Sequence, residues 1–203
     1  MNEIKGTFDS RLPVDIKEKL SSAKVAIAGL GGLGSNIALM LCRSGVGNLL
    51  LVDFDKVDTS NLNRQAYCLR HLGMKKTDAL EEIIGEINPA VKIEKLCTKV
   101  DFDNAKDIFG DYSIVCEAFD KPDMKAMLIS TLLSSCPNTT VVSGNGMAGY
   151  SDGNKISTKK VMDKLYVCGD GVSDIEKGEI LMASRVMICA GHQANKVIQL
   201  ILE

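Results

Sequence analysis

The chain has 203 residues, 45% of them hydrophobic, enough for one α/β domain with a real core and short of what two ordinary domains need. A formal net charge of -2 leaves no basic excess, which argues against nucleic acid or an anionic membrane surface as the partner and leaves small molecules or proteins. No apolar run reaches bilayer length and Met1 to Gly6 lacks the apolar stretch of a signal peptide, so a cytoplasmic protein is expected.

Pro13 to Ser21 has the start residue and period of a short helix, the ordered part of an N-terminal helical arm spanning residues 1–22. Lys24 to Ala28 reads as the first buried strand, and after a glycine cluster the segment Ile37 to Ser44 continues a helix. Asn48 to Val52 is the second strand, followed by a polar loop and a helix from about Lys75 to Ile87 that stops before Asn88-Pro89. Further strands are expected at Val91–Cys97, Tyr112–Cys116 and Thr139–Ser143, with helical segments near Asn104–Phe109 and Pro122–Ser135 between them. Residues 146–178 read as an irregular, partner-facing region with turn signals at Asp152-Gly153-Asn154 and Gly169-Asp170-Gly171 and one short strand at Leu165–Cys168. A last helix from about Glu179 to Leu202 carries Ile180, Ala183, Met187, Ala190, Ala194, Val197 and Ile201 at helical spacing and closes the core. The alternation predicts a Rossmann-like α/β fold in one domain over 1–203: a wound, mostly parallel sheet with helices on both faces.

The seven cysteines are odd in number, widely spaced and mostly set in apolar segments, so they read as reduced core thiols. With no Cys-x-x-Cys, and with His71 and His192 isolated, no zinc site is expected.

Gly29-Leu30-Gly31-Gly32-Leu33-Gly34 fits Gly-x-Gly-x-x-Gly between a buried strand and a helix start, where the motif has mechanical meaning. Gly29 permits the tight turn, Gly31 lets the backbone approach a phosphate, and Gly34 lets helix and strand pack closely; Gly32 belongs to the same candidate nucleotide-binding loop. Asp53 ends the second strand, where a carboxylate can accept from both ribose hydroxyls, and Asp55 and Asp58 are secondary candidates. These residues alone do not separate NAD from FAD or ATP.

The segment Asp53-Phe54-Asp55-Lys56-Val57-Asp58-Thr59-Ser60-Asn61-Leu62-Asn63-Arg64-Gln65, with Gly73 and Lys76 beyond it, resembles the motif of the ubiquitin-activating superfamily and within it the ThiF/MoeB family of bacterial sulfur-carrier adenylyltransferases. The terminal stretch Met182 to Val186 and Gly191 to Asn195 resembles the last helix of a short ThiF-like branch. The resemblance implies ATP-dependent adenylation of the C-terminal glycine carboxylate of a ubiquitin-like sulfur carrier with a Gly-Gly tail, in a homodimer, with thiamine biosynthesis as the implied pathway. It assigns Arg64 and Lys76 to the phosphates, Lys76 in place of a P-loop lysine, and Asn61 and Gln65 to the loop or phosphate oxygens. Asp120 matches the family aspartate that binds Mg2+ at the nucleotide, although Lys121 and Lys125 stand where the family usually has asparagine and arginine. Arg11 is a candidate to cross into a neighbouring subunit's site, and Cys168 is the best candidate for a sulfur-transfer cysteine, although with no adjacent His or Arg in sequence to activate it an inert strand-end cysteine is the preferred reading.

Two other readings stay open. The glycine loop and Asp53 would serve an NAD-dependent oxidoreductase. The small size, Lys125 at an arginine place and the lack of the paired Cys-x-x-Cys zinc ligands that many members of the resembled family carry in their last third would suit a nucleotide-binding interaction protein that has lost turnover.

Overall fold

The computed structural model describes residues 11–173 and 179–203; the leading part of the expected arm, including Met1 to Gly6, and residues 174–178 lie outside the described residues. In chain order the elements are α1 (Val14–Ser22), β1 (Lys24–Ala28), α2 (Gly32–Arg43), β2 (Asn48–Val52), α3 (Lys76–Ile87), β3 (Lys92–Leu96), α4 (Ala105–Phe109), β4 (Ile114–Glu117), α5 (Pro122–Ser135), β5 (Thr140–Gly144), β6 (Ser157–Met162), β7 (Leu165–Gly169) and α6 (Ala183–Leu202). Short 3-10 turns lie at Thr59–Asn61, Leu69–His71 and Gly153–Lys155.

The strands form one seven-stranded sheet in the order β3-β2-β1-β4-β5-β7-β6, parallel from β3 to β7, with β6 antiparallel at the edge. Its centre is apolar on both faces because each face has its own helices. Val25 and Ile27 of β1, with Leu49 and Leu51 of β2, join a core with Ile37 and Leu41 of α2, Leu80 and Ile84 of α3 and Val197 of α6. The alternate residues Ala26, Ala28, Leu50 and Val52 face a second core with Phe109 of α4 and Leu128 and Leu132 of α5. This is the expected doubly covered α/β fold. Strand order reverses at β1, between β2 and β4, which opens a crevice at the C-terminal ends of these strands where open α/β sheets bind ligands. Among the described residues no helix is long and apolar enough to cross a membrane.

Two expectations for the C-terminal third need correction. Residues 146–178 are not irregular throughout, because β6 and β7 form a hairpin within them. Ser157 to Met162 is an edge strand with four of its six residues exposed, and its ladder with β7 is made by backbone groups, so hydrophobic patterning gave no signal. The last helix begins at Ala183 rather than about Glu179. Ile180 and Leu181 are instead held against Gly149, whose N–H donates to the Ile180 carbonyl.

Arg185 of α6 fastens the loop before β6 and the turn after β7. Its guanidinium is buried, pairs with Asp170 and donates to the carbonyls of Ser151 (2.7 Å) and Asp152 (3.0 Å). Burial pushes the Asp170 carboxyl up, but the N–H groups of Ser173 and Val172, the Ser173 hydroxyl and the Arg185 charge together hold it below its ordinary value of 3.8. A depressed carboxyl contributes stability that is full above that ordinary value and lost as pH falls through the folded one. Asp170→Asn, which leaves Arg185 buried and unpaired, is expected to cost about 3 kcal/mol near neutral pH. In urea titrations the gap from wild type should stay constant above pH 3.8 and close below it; a gap independent of pH in acid would show that Asp170 does not carry it.

Candidate functional site

The glycine turn from β1 into α2 forms the floor of the crevice. Gly29 has φ +90°, a region that disfavours side chains, and a Cβ there would press on the Ala118 carbonyl oxygen at 2.9 Å. A Cβ on Gly34 would overlap the carbonyl oxygen of Gly29, so α2 can start this close to β1 only with glycine at 34. Gly31 differs. A Cβ there would meet nothing nearer than Gln65 Nε2 at 3.8 Å, so protein packing does not require glycine and the space above this backbone is open. On Gly32 a Cβ would meet Val186 Cγ1 at 3.0 Å and Arg64 Cγ at 3.5 Å. Gly31 caps α2 with no side-chain hydrogen bond, leaving the positive end of the helix to attract an anion.

One rim is the segment from Asp53 to Lys76. Asp53 is buried, with Oδ2 accepting from the Leu30 N–H of the glycine turn (2.7 Å) and Oδ1 from Asp55 N–H (2.8 Å). It therefore ties β2 to the turn, and its remaining lone pairs are what a ribose could use. Lys76, at the start of α3, is nearly buried, and its Nζ lies 2.8 Å from Asp55 Oδ2 and 3.8 Å from Asp53 Oδ2. Asp55, a secondary ribose candidate in the sequence, is thus first of all the partner of Lys76. Asn61 closes a capping box: its Oδ1 accepts from Asp58 N–H while Asp58 accepts from Ser60 N–H. That turn carries Arg64 and Gln65. The Arg64 guanidinium, half-buried, donates to Ser60 O at 3.0 Å and Asn63 Oδ1 at 2.8 Å. Gln65 is buried with its Oε1 unpaired.

Three side chains not singled out in the sequence stitch this rim to the glycine turn. Ser35 Oγ accepts from Ala66 N–H, Asn36 Nδ2 donates to Arg64 O and Gly32 O, and the Tyr67 hydroxyl donates to Leu30 O at 2.8 Å. Burial and the charges of Asp53 and Asp55 push the Tyr67 hydroxyl up, so it stays a donor. Ser and Asn just inside a helix start, and Tyr two residues after the glutamine, carry no motif; only the fold brings them to the turn.

The opposite rim is the end of β4. Glu117, with no exposure, accepts from Phe119 N–H at 2.7 Å and Ser143 Oγ at 2.6 Å and pairs with Lys125 Nζ at 2.9 Å. Lys125 is therefore held by an ion pair at the start of α5. Asp120 is exposed and makes no hydrogen bond or ion pair within the described residues. Those residues hold no group of three or more His, Cys, Asp or Glu arranged for a metal. Mg2+ is commonly held by one or two carboxylates together with substrate phosphates, so a free carboxylate such as Asp120 would fit that ion if phosphates lay beside it.

The glycine turn thus joins the predicted residues: Asp53, Arg64 and Gln65 border it on one side, Lys76 through Asp53, and the turn leading to Asp120 on the other. Arg11 is exposed ahead of α1 and takes part in none of these contacts. Cys168 takes the inert reading. It is fully buried in β7, its Sγ is 3.4 Å from Thr158 Oγ1, and burial pushes the thiol up, so it is no accessible thiolate. Cys189, pushed up to about 12 by burial, is likewise core.

Residues 8–203 match the model of the ThiF family. The chain belongs to that family. It is 38% identical over 115 residues to a molybdopterin-synthase adenylyltransferase of Haemophilus influenzae, covering 56% of this chain and 47% of that protein. It is 38% identical over 136 residues to the adenylyltransferase and sulfurtransferase UBA4 of Scheffersomyces stipitis, covering 66% of this chain and 30% of that one. The chain therefore spans less than half the length of these curated relatives. Among solved structures, the tRNA N6-threonylcarbamoyladenosine dehydratase TcdA of E. coli, in complex with ATP, superposes with TM-score 0.87 at 20% identity, covering 98% of this chain and 94% of that one. E. coli MccB with ATP gives TM-score 0.72 at 22% identity over 94% and 59%. These two likenesses show that the ThiF-family chain shares their fold.

The glycine geometry separates two substitutions. Gly34→Ala is expected to lose about 2 kcal/mol or more in urea unfolding, because backbone must move to admit the methyl group. Gly31→Ala should lose no more than about 1 kcal/mol, the scale of a changed helix cap. Equal losses would mean that Gly31 is also held by packing.

Proposed function

We propose that the chain binds ATP in the crevice and adenylates the C-terminal glycine carboxylate of a small ubiquitin-like sulfur carrier. The observation that carries this reading is the buried Lys76, held by Asp55 and Asp53 beside an uncapped glycine turn with open space over Gly31. A cation so placed suits a triphosphate, which hydride transfer has no need of. Membership of the ThiF family, with relatives named adenylyltransferases, supports it.

In the reaction the carrier carboxylate oxygen attacks the α-phosphorus of ATP, the bond to the β-phosphate bridging oxygen breaks, and pyrophosphate leaves with that electron pair. Both reactants are anions, so the residues that lower the barrier are those that offset charge while holding the groups in line. Asp53 orients the ribose, and the α2 N-terminus receives phosphate oxygens above Gly31. Lys76 and Arg64 neutralise the charge shifting to the leaving pyrophosphate, with Asp55 keeping the Lys76 ammonium aimed. Gln65, with its free Oε1, and Asn61 shape the loop that carries Arg64. Asp120 would hold Mg2+, which when bound would supply further neutralisation of the phosphates. In this reading the protein works in the cytoplasm as a homodimer, with Arg11 reaching a neighbouring subunit's nucleotide, and thiamine biosynthesis is the first pathway to test.

ATP–pyrophosphate exchange should appear when a carrier ending in Gly-Gly is added. Carriers for thiamine and for molybdopterin synthesis, tried side by side, would assign the pathway, and no exchange with any carrier would refute the enzymatic claim. Arg64→Ala should lower exchange by on the order of 100-fold or more while the far-ultraviolet circular dichroism spectrum is unchanged. Calorimetry should show ATP bound in preference to NAD, with Gly31→Ala weakening ATP at nearly native stability. Preference for NAD would overturn the nucleotide assignment, and tight ATP binding without exchange would favour a binding protein without turnover.

A further inference from the structure

The turn that links β4 to α5 is held by more interactions than its length requires. Glu117 is the last residue of β4 and has no exposure, yet it is ionisable and carries four hydrogen bonds on its carboxylate and carbonyl. Lys125, half-buried in the first turn of α5, brings its Nζ to the Glu117 carboxylate (2.9 and 3.0 Å) and also donates to Phe119 O at 2.8 Å. The same short segment is pinned from three further sides. Ala118 N–H donates to Ala28 O at 2.9 Å, Ser143 of β5 donates to the Glu117 carboxylate, and Gln193 of α6 bridges the carbonyls of Glu117 and Val142.

The segment is pressed onto the glycine turn. Ala118 O and Phe119 Cδ1 would stand only 2.9 and 3.0 Å from a Cβ on Gly29. The next residue is Asp120, whose carboxylate points to no protein partner among the described residues. A buried ion pair is in general a weak source of stability, since its desolvation cost is comparable to its attraction. What this one achieves by geometry is to hold a carbonyl, an N–H and a carboxylate within a single closed ring from Glu117 to Lys125, with Asp120 the first of its exposed residues.

We propose that the Glu117–Lys125 pair is a positioning device: it closes the Ala118–Asp120 turn onto the glycine loop and thereby presents Asp120 to the nucleotide. Lys125 acts through Asp120 and does not itself touch the substrate. This rests on the adenylation reading for its substrate, and it assigns a task to the lysine that departs from the family's arginine. An Arg at 125 can make the same two contacts, to the carboxylate and to Phe119 O, so Lys125→Arg should conserve the device, whereas Lys125→Met keeps the stem and removes it.

The test is a double-mutant cycle in the full chain between Lys125→Met and Asp120→Ala, read in exchange rate and in calorimetric Mg–ATP affinity. Lys125→Met alone should lower exchange 10- to 100-fold or so, the scale of a misplaced catalytic group, with Lys125→Arg restoring most of it. On the Asp120→Ala background the same substitution should change the rate by less than about twofold, because the two act on one step. The variant with Glu117→Gln and Lys125→Met together, which leaves no lone buried charge, guards against loss of fold. It should stay folded and show the same defect, with faster hydrogen exchange at the Phe119 amide. Additive effects of Lys125→Met and Asp120→Ala, or a defect that Lys125→Arg does not relieve, would overturn the proposal and leave the pair as a structural fastening. A wild-type chain that binds Mg–ATP but shows no exchange would refute adenylation while the cycle is still read in affinity. A wild-type chain that binds no nucleotide would overturn both.

Discussion

The carbonyl of Gly29 occupies the space that a side chain on residue 34 would need, and the rest of the site depends on that close approach. It sets the first turn of α2 directly above the end of β1, so the helix N-terminus opens where the strand order reverses. Several groups on both rims are located by contact with this turn. Asp53 accepts its Leu30 N–H, Tyr67 donates to its Leu30 carbonyl, Ser35 and Asn36 reach from it to residues 64–66, and Ala118 presses on Gly29. A shift of the turn would move both rims at once.

Charge follows from the same arrangement. Two carboxylates, Asp53 and Asp55, and one ammonium, Lys76, share one side of the crevice, and Glu117 with Lys125 share the other. Cations near a crevice are useful to a polyanionic ligand only if they are held in place before it arrives, because reorganising them during reaction would add to the barrier. Here Lys76 is oriented by the buried Asp53 and the exposed Asp55, and Lys125 by the buried Glu117. Arg64 is held differently, by neutral oxygens of its own loop. Its charge is therefore not offset by a neighbouring carboxylate, consistent with a role in which it meets phosphate.

The fold was legible because its central strands are buried on both faces. Val25 to Ala28 and Leu49 to Val52 are continuous apolar runs, and the strands Lys24–Ala28 and Asn48–Val52 have the bounds read from sequence. The edge strand β6 was not legible, since Ser157 to Met162 is stabilised by ladder hydrogen bonds and buries little. Leu181, apolar and followed by a helix, was read into that helix because periodicity cannot register a backbone bridge to Gly149. Cys168 stands beside polar turns in the sequence, and only the structure shows that β6 and α6 cover it, with Thr158 and Cys189 in contact.

By itself the sequence determined the glycine turn, the acidic end of β2 and the run from Asp53 to Lys76, because those functions depend on backbone approach and spacing along the chain, which are local properties. Only the tertiary structure decided which of these residues meet and through whom. The pairing of Lys76 with both aspartates, the stitching by Ser35, Asn36 and Tyr67, and the closure of the Asp120 turn by Glu117 and Lys125 join segments that are distant in sequence or face one another across a turn. The physical reason is that a side chain's partner is chosen by the burial of its segment and by the twist of the sheet, and neither quantity is written in the spacing of residues along the chain.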